Sequence, residues 1–110
     1  VNINKINTFQ FDSNMIIFDD FYKLSKKVYQ KGLNLIPHNW YNLINNNTNI
    51  SFLNSLPISN KIIEYNILNN PYKEIFVNKM YTIKRGKIVF KNHKGLGIDL
   101  NYKAIKKFTK

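Results

Sequence analysis

This chain has no cysteine, few glycines and prolines, and only 6 acidic residues among 110. The lack of cysteine excludes disulfides and thiolate metal sites, and it is typical of a reducing compartment. No apolar run approaches the roughly 18 residues that a membrane span requires, and the first residues do not form a signal peptide. We therefore expect a soluble cytoplasmic protein without membrane partners.

Basic residues are abundant: 17 of them give a net charge of +11. Such an excess is common in proteins that bind nucleic acid. Here the lysines are spread along the chain and accompany many Asn, Ile, Tyr and Phe residues, as an AT-rich coding sequence would produce. We interpret the charge as mainly compositional, so nucleic acid is not the expected partner.

Short apolar runs typical of β-strands lie at residues 6–10, 33–37 and 61–67. An amphipathic helix is predicted over 19–31, and a shorter helix over 50–56. Strands that alternate with helices predict a parallel sheet of βα units. Such sheets place their chemistry at the carboxyl ends of the strands.

The remainder of the chain has a different pattern. Extended runs at 80–84 and 87–90 flank Arg-Gly and predict a β-hairpin, and 104–108 predicts a short helix. We therefore divide the chain into a βα part, residues 1–68, and a β-rich tail, residues 69–110.

Three side chains with catalytic chemistry come from the three successive strand regions. They are Asp12, His38 and Glu64, each 26 residues from the next. That interval is about the length of one βα unit in an eight-stranded barrel. Neighbouring strands would bring Asp12 beside His38 and His38 beside Glu64. A histidine at the end of a strand is a candidate general base.

Short motifs follow one another in a recognisable order. They are Gln-Phe-Asp at 10–12, Leu-Ile-Pro-His-Asn-Trp at 35–40, Ile-Glu-Tyr and Asn-Asn-Pro within 63–71, Gly-Lys-Ile-Val at 86–89, and Gly-Leu-Gly-Ile-Asp at 95–99. In this order and spacing they resemble the C-terminal third of mandelate racemase and muconate lactonizing-type enzymes of the enolase superfamily. The resemblance covers nearly the whole chain.

The resemblance implies an α/β fold. Residues 1–68 would form about strands six to eight of a TIM-type barrel, and residues 69–110 would return to a capping domain that precedes this chain. A start at Val1 agrees with a C-terminal fragment. By itself such a fragment would leave open sheet edges and would aggregate or require its N-terminal part. The full-length enzyme is expected to be a homo-oligomer.

The resemblance also implies a chemistry. Enzymes of this group remove the proton α to a carboxylate, here of a small acid such as an acid sugar, as dehydratases or racemases that use Mg²⁺. His38 would be the base or the returning acid, and Asp12 would orient its ring. Glu64 would bind the substrate carboxylate, and Trp40 would form a wall of the pocket or simply pack at the barrel edge. The metal ligands are expected upstream, so the isolated chain should be inactive.

Two alternatives remain open. One is an inactive vestigial fragment that tolerates substitution at His38. The other is a small basic module that binds nucleic acid by stacking bases on Tyr22, Tyr29, Tyr41 and Phe90.

Overall fold

The computed structural model describes residues 6–40, 42–58, 61–68, 70–78, 81–90 and 94–109, with only the backbone of Phe90. Predictions that involve Val1, Tyr41, Asn69, Met80 or the Phe90 side chain lie outside the described residues. The elements are β1 (Thr8–Phe9), α1 (Phe18–Gln30), β2 (Asn34–Leu35), α2 (Leu43–Ser55), β3 (Val77–Asn78), β4 (Tyr81–Lys84), β5 (Lys87–Phe90), β6 (Asp99–Leu100) and α3 (Tyr102–Phe108). In these parts of the chain, no helix is both long and apolar enough to cross a bilayer.

β1 and β2 pair in parallel, with Phe9 opposite Leu35. Backbone hydrogen bonds extend this ladder beyond the two-residue strands. The amides of Asn34, Ile36 and His38 donate to the carbonyls of Asn7, Phe9 and Phe11 over 2.8, 3.0 and 2.7 Å. A parallel bridge between Asp12 and His38 ends the ladder. The predicted parallel pairing of the first two strands is confirmed.

The ladder has one apolar face. Phe9, Phe11 and Leu35 pack with a core from both helices, whose buried members are Phe21, Val28, Phe52, Leu53 and Leu56. The rings of Phe21 and Phe52 lie 4.4 Å apart, centroid to centroid. Because side chains alternate along a strand, the opposite face carries Gln10, Asp12, Ile36 and His38. The ladder therefore has a helix-covered face and an opposite, mainly polar face, which we call the polar face.

α1 agrees with the predicted helix and begins one residue earlier. Two aspartates in its first turn complement the partial positive charge of the helix N-terminus, and Gly32, at φ +68°, follows its end. α2 is longer than predicted, since it begins at Leu43. The Asn42 side chain caps it by accepting hydrogen bonds from the amides of Ile44 and Asn45. Asparagine has a low helix propensity, so the Asn-rich first half of α2 was not predicted to be helical.

The predicted third strand over residues 61–67 is wrong, because the structure assigns no strand in this stretch. The neighbouring strand supplies a physical reason. Ile36 and His38 use their N–H groups on β1, so the N–H groups of alternate residues would face the other edge. At that edge stands the buried Pro37, which has no N–H to donate.

The tail forms two antiparallel pairs and a short helix. β4 and β5 make the predicted hairpin, in which Arg85 and Gly86 both have positive φ, as a type I′ turn requires. The pairing of β3 with β6 was not predicted, because two-residue strands carry no periodicity. α3 begins two residues earlier than predicted, at Tyr102 after the capping Asn101.

The tail shares a second core with α2. Leu43 and Ile50 of the helix are buried together with Val77 and Tyr81 of the tail. A backbone hydrogen bond of 3.0 Å runs from the Leu43 amide to a tail carbonyl, that of Lys73. The tail, expected to pack on a capping domain, therefore packs on the βα part in this structure.

Four asparagines of α2 are buried: Asn45, Asn46, Asn47 and Asn49. The Asn49 amide donates to the His38 carbonyl over 3.2 Å and accepts from Ser13 Oγ over 2.7 Å. Asn46 is only 1% exposed, and neither of its polar side-chain atoms has a hydrogen-bond partner among the described residues. A buried amide without partners destabilises the folded state by about 1–3 kcal/mol.

We predict that Asn46→Leu, which keeps the branched shape of the side chain and removes its polar atoms, raises the free energy of unfolding by about 1–3 kcal/mol. The matched Asn49→Leu variant removes a bonded amide and should lower it by a similar amount. Urea denaturation of the three proteins measures both changes. A destabilised Asn46→Leu protein would contradict the prediction.

Candidate active site

The end of the parallel ladder brings two of the predicted residues together. Asp12 and His38 are bridge partners on the two neighbouring segments of the ladder, which lie roughly 4.8 Å apart. Both belong to the polar face, opposite the face that the helices cover. The structure thus makes Asp12 and His38 neighbours on one face at the carboxyl end of the ladder.

Glu64 contacts the same histidine from the following segment. His38 Nδ1 lies 2.6 Å from Glu64 Oε2, a distance at the short end for a charge-assisted hydrogen bond. The two side chains are 35% and 28% exposed, so the pair is accessible from solvent. An ionised carboxylate only accepts, so with Glu64 ionised Nδ1 carries a proton, and in the neutral ring the lone pair is then on Nε2.

Three donors converge on one oxygen of Glu64. Besides His38 Nδ1, the Asn39 backbone amide donates to Oε2 over 2.8 Å and Gln10 Nε2 over 3.0 Å. An oxygen that accepts three hydrogen bonds cannot itself carry the carboxyl proton. The network therefore holds Glu64 as an acceptor that faces the histidine.

This arrangement differs in one respect from the roles expected from the resemblance. The resemblance implies that Asp12 orients the His38 ring and that Glu64 binds the substrate carboxylate. In the structure the acceptor at His38 Nδ1 is Glu64 Oε2. Asp12 Oδ1 accepts from the backbone and side-chain amides of Asn14 over 2.9 and 3.2 Å, in a local turn.

Trp40 follows the histidine by two residues. Its side chain is 54% exposed, and its carbonyl accepts a hydrogen bond of 3.3 Å from Asn66 Nδ2. An exposed indole next to a candidate base is available to a ligand, as the predicted role requires. Its role as a pocket wall stays a prediction.

A polar cleft of about 250 Å³ opens beside Asp12. It is lined by Ser13, Asn14, Asn42, Ile44, Asn45 and Thr48, all of them uncharged. Such a lining offers hydrogen bonds to hydroxyl groups but no counter-charge to a carboxylate.

Sequence analysis missed the side chains that support the site from α2. Ser13 Oγ lies 3.1 Å from Asn45 Oδ1 and 2.7 Å from Asn49 Oδ1, which ties the segment after Asp12 to this helix. Asn45 Nδ2 donates to Asn39 Oδ1 over 3.2 Å. One signal was present: asparagines recur at spacings of three and four from Asn42 to Asn49, which is a helical period.

The described residues do not form a metal site. No group of three His, Asp, Glu or Cys side chains in these parts of the chain is close enough to hold an ion. Asp12, His38 and Glu64 are linked to one another or to amides, and they do not fit a Mg²⁺ cage, which requires several oxygen ligands around one point.

The aromatic residues of the nucleic-acid alternative have other contacts. The Tyr22 ring packs edge-on against Phe52 at 6.3 Å, and Lys26 Nζ lies 4.8 Å above it. Tyr29 is 46% exposed. Tyr41 and the Phe90 side chain lie outside the described residues.

No protein-family model matches the sequence, and no curated protein matches it.

We predict that neutral His38 carries its proton on Nδ1, because Glu64 accepts there. Long-range ¹H–¹⁵N NMR distinguishes the two tautomers, and a His38→Asn spectrum assigns the signals. In Glu64→Leu the acceptor is lost, so the Nε2–H tautomer should become the major form. A wild-type ring that is mainly protonated on Nε2 contradicts the assigned hydrogen bond.

Proposed function

We propose that His38 is the base of an enzyme that removes the proton α to a carboxylate, in the manner of an acid-sugar dehydratase or racemase of the enolase superfamily. One observation carries the proposal: the bridge between Asp12 and His38 ends a parallel ladder, and Glu64 Oε2 lies 2.6 Å from His38 Nδ1. The motif order described above supports it. Chemistry at the carboxyl ends of parallel strands is the rule in βα folds.

The proposed roles follow from the positions of the protons. With Nδ1–H donated to Glu64, Nε2 takes the α-proton. The imidazolium ion that forms carries a positive charge, which the Glu64 carboxylate stabilises. A base held in one tautomer and one orientation avoids the cost of arranging itself during the reaction. Asp12, the backbone bridge partner of His38, lies on the same face.

Acidic residues are rare in this protein, which makes their position informative. Only 6 occur in the chain, and two of them flank one of its two histidines. A basic composition alone would not concentrate carboxylates at a single imidazole. The arrangement favours a histidine that is held by a defined partner over a solvated surface histidine.

The substrate carboxylate needs a counter-charge that the uncharged cleft does not supply. By resemblance this is Mg²⁺, held by acidic residues upstream of Val1. When bound, the ion would stabilise negative charge on the carboxylate oxygens. The described residues contribute no ligand group, so no step of the proposal is assigned to the metal.

The proposed function also implies a location and a longer protein. We place this chain in the cytoplasm, as one part of a longer homo-oligomeric enzyme whose preceding residues complete the barrel and hold the metal. The lack of cysteine supports the location. The acid-sugar substrate is taken from the resemblance, and five of the six residues that line the cleft beside Asp12 are polar.

We predict that His38→Asn lowers the rate of α-proton exchange with D₂O at least about 10²-fold in the protein expressed from its full reading frame, because a general base contributes 10²–10⁴-fold. Exchange is measured by ¹H NMR on a panel of acid sugars with Mg²⁺. Asp12→Asn should reduce the rate less. His93→Asn, at the other histidine, is the matched control and should retain exchange. Unchanged exchange in His38→Asn removes His38 as the base.

The coding DNA upstream of Val1 gives an independent test. We expect the frame to continue and to encode a Lys-x-Lys motif and three spaced acidic residues, on which the implied metal site depends. The intact mass of the native protein verifies that this region is translated. A frame that begins at Val1 would contradict the proposal and would favour the vestigial alternative.

A further inference from the structure

The segment that carries Glu64 has no ladder to fix its position. Residues 61–68 form no strand, so the segment is held by the packing of Ile63 and Tyr65 against the two cores and by individual hydrogen bonds. The hydrogen bonds come mainly from side-chain amides and a lysine. They are Gln10 Nε2 to Glu64 Oε2, Asn39 Nδ2 to the Glu64 carbonyl, Asn66 Nδ2 to the Trp40 carbonyl, and Lys73 Nζ to the Asn66 carbonyl.

Asn39 binds Glu64 at two points. Its backbone amide donates to Oε2 over 2.8 Å, and its side-chain Nδ2 donates to the Glu64 carbonyl over 3.2 Å. One residue therefore holds both the main chain and the carboxylate of Glu64. With both ends fixed, Glu64 loses most of its freedom to rotate away from His38, which directly precedes Asn39 in the chain.

Asn39 is itself held from behind. It is 3% exposed, and its Oδ1 accepts a hydrogen bond of 3.2 Å from Asn45 Nδ2 on α2. The buried amide thus has partners at both of its polar atoms. This chain of bonds connects the helix to Glu64 and fixes Asn39 against rotation of its side chain.

We propose that Asn39 is a positioning residue that sets the His38–Glu64 pair, and thereby keeps the lone pair of His38 on Nε2. The catalytic meaning of this role rests on the proposed function, whereas the geometric role does not. A displacement of about 1 Å in such a pair reduces catalysis about 10²-fold. Asn39 does not itself line the cleft, although it is bonded to the lining residue Asn45, and its bonds toward the His38 pair run to Glu64.

A matched control exists in the same pair of segments. Asn66 is also a buried asparagine, at 8% exposure, and its Nδ2 links the two segments through the Trp40 carbonyl over 3.3 Å. It makes this link without binding Glu64. A residue that merely holds the two segments together should therefore behave like Asn66.

The test compares Asn39→Ala with Asn66→Ala in the full chain by the tautomer of His38, using long-range ¹H–¹⁵N NMR. Alanine keeps the backbone N–H that donates to Glu64 Oε2 and removes the side-chain bond to the Glu64 carbonyl, so in Asn39→Ala the fraction of the Nδ1–H form should fall, while Asn66→Ala should leave it unchanged. An unchanged tautomer in Asn39→Ala, or an equal change in both variants, overturns the proposal. Far-UV circular dichroism verifies that each variant is folded.

If Asn39→Ala does not fold, Asn45→Ala carries the test, because it removes the bond to Asn39 Oδ1 and leaves Asn39 in place. A folded Asn45→Ala protein should show a partial loss of the Nδ1–H form, and an unchanged tautomer overturns the proposal. In a form that exchanges α-protons, Asn39→Ala should lower kcat about 10²-fold with little change in KM. If the tautomer shifts in a protein that shows no exchange, the positioning role stands and the proposed function fails.

Discussion

The register of one short parallel ladder determines most of this structure. The hydrogen bond of 2.7 Å from the His38 amide to the Phe11 carbonyl fixes which residues of the two chains are partners. Because side chains alternate, a slip by one residue would turn His38 toward the helices and move Pro37 out of the core. The apolar residues Phe9, Phe11 and Leu35 prevent that slip, since their burial against α1 and α2 is lost in any other register. The core therefore specifies the site.

Much of the fold could be predicted where a pattern is long or chemically marked. α1 was predictable from the spacing of Phe21, Leu24 and Val28, and the hairpin from Arg85-Gly86. The first half of α2 was not predictable, because its asparagines oppose helix formation and only burial against the two cores makes it helical. The strand predicted over residues 61–67 does not form. Its run of residues suits a strand, but Pro37 on the neighbouring edge has no N–H to donate to it.

The site was predictable in part for a different reason. A constant interval between Asp12, His38 and Glu64 indicated that repeated units would bring them together, and the structure places Asp12 and Glu64 on either side of the histidine. The roles could not be predicted, since the sequence does not contain the hydrogen bonds that select one carboxylate for Nδ1. The supporting roles of amides such as Asn39 and Asn45 could not be predicted from the sequence. In a chain so rich in asparagine, no single one stands out before its partners are known.

The Ser13 hydroxyl faces two acceptors but can donate to only one of them at a time. It has a single hydrogen, yet the oxygens of Asn45 and Asn49 lie 3.1 and 2.7 Å from it. At any instant only one of these amides receives that hydrogen, and the closer Asn49 is the natural recipient. The oxygen of Asn45, a residue that lines the cleft, then keeps spare capacity as an acceptor. A donor that enters the cleft and reaches this oxygen would gain a hydrogen bond without displacing one that the protein already makes.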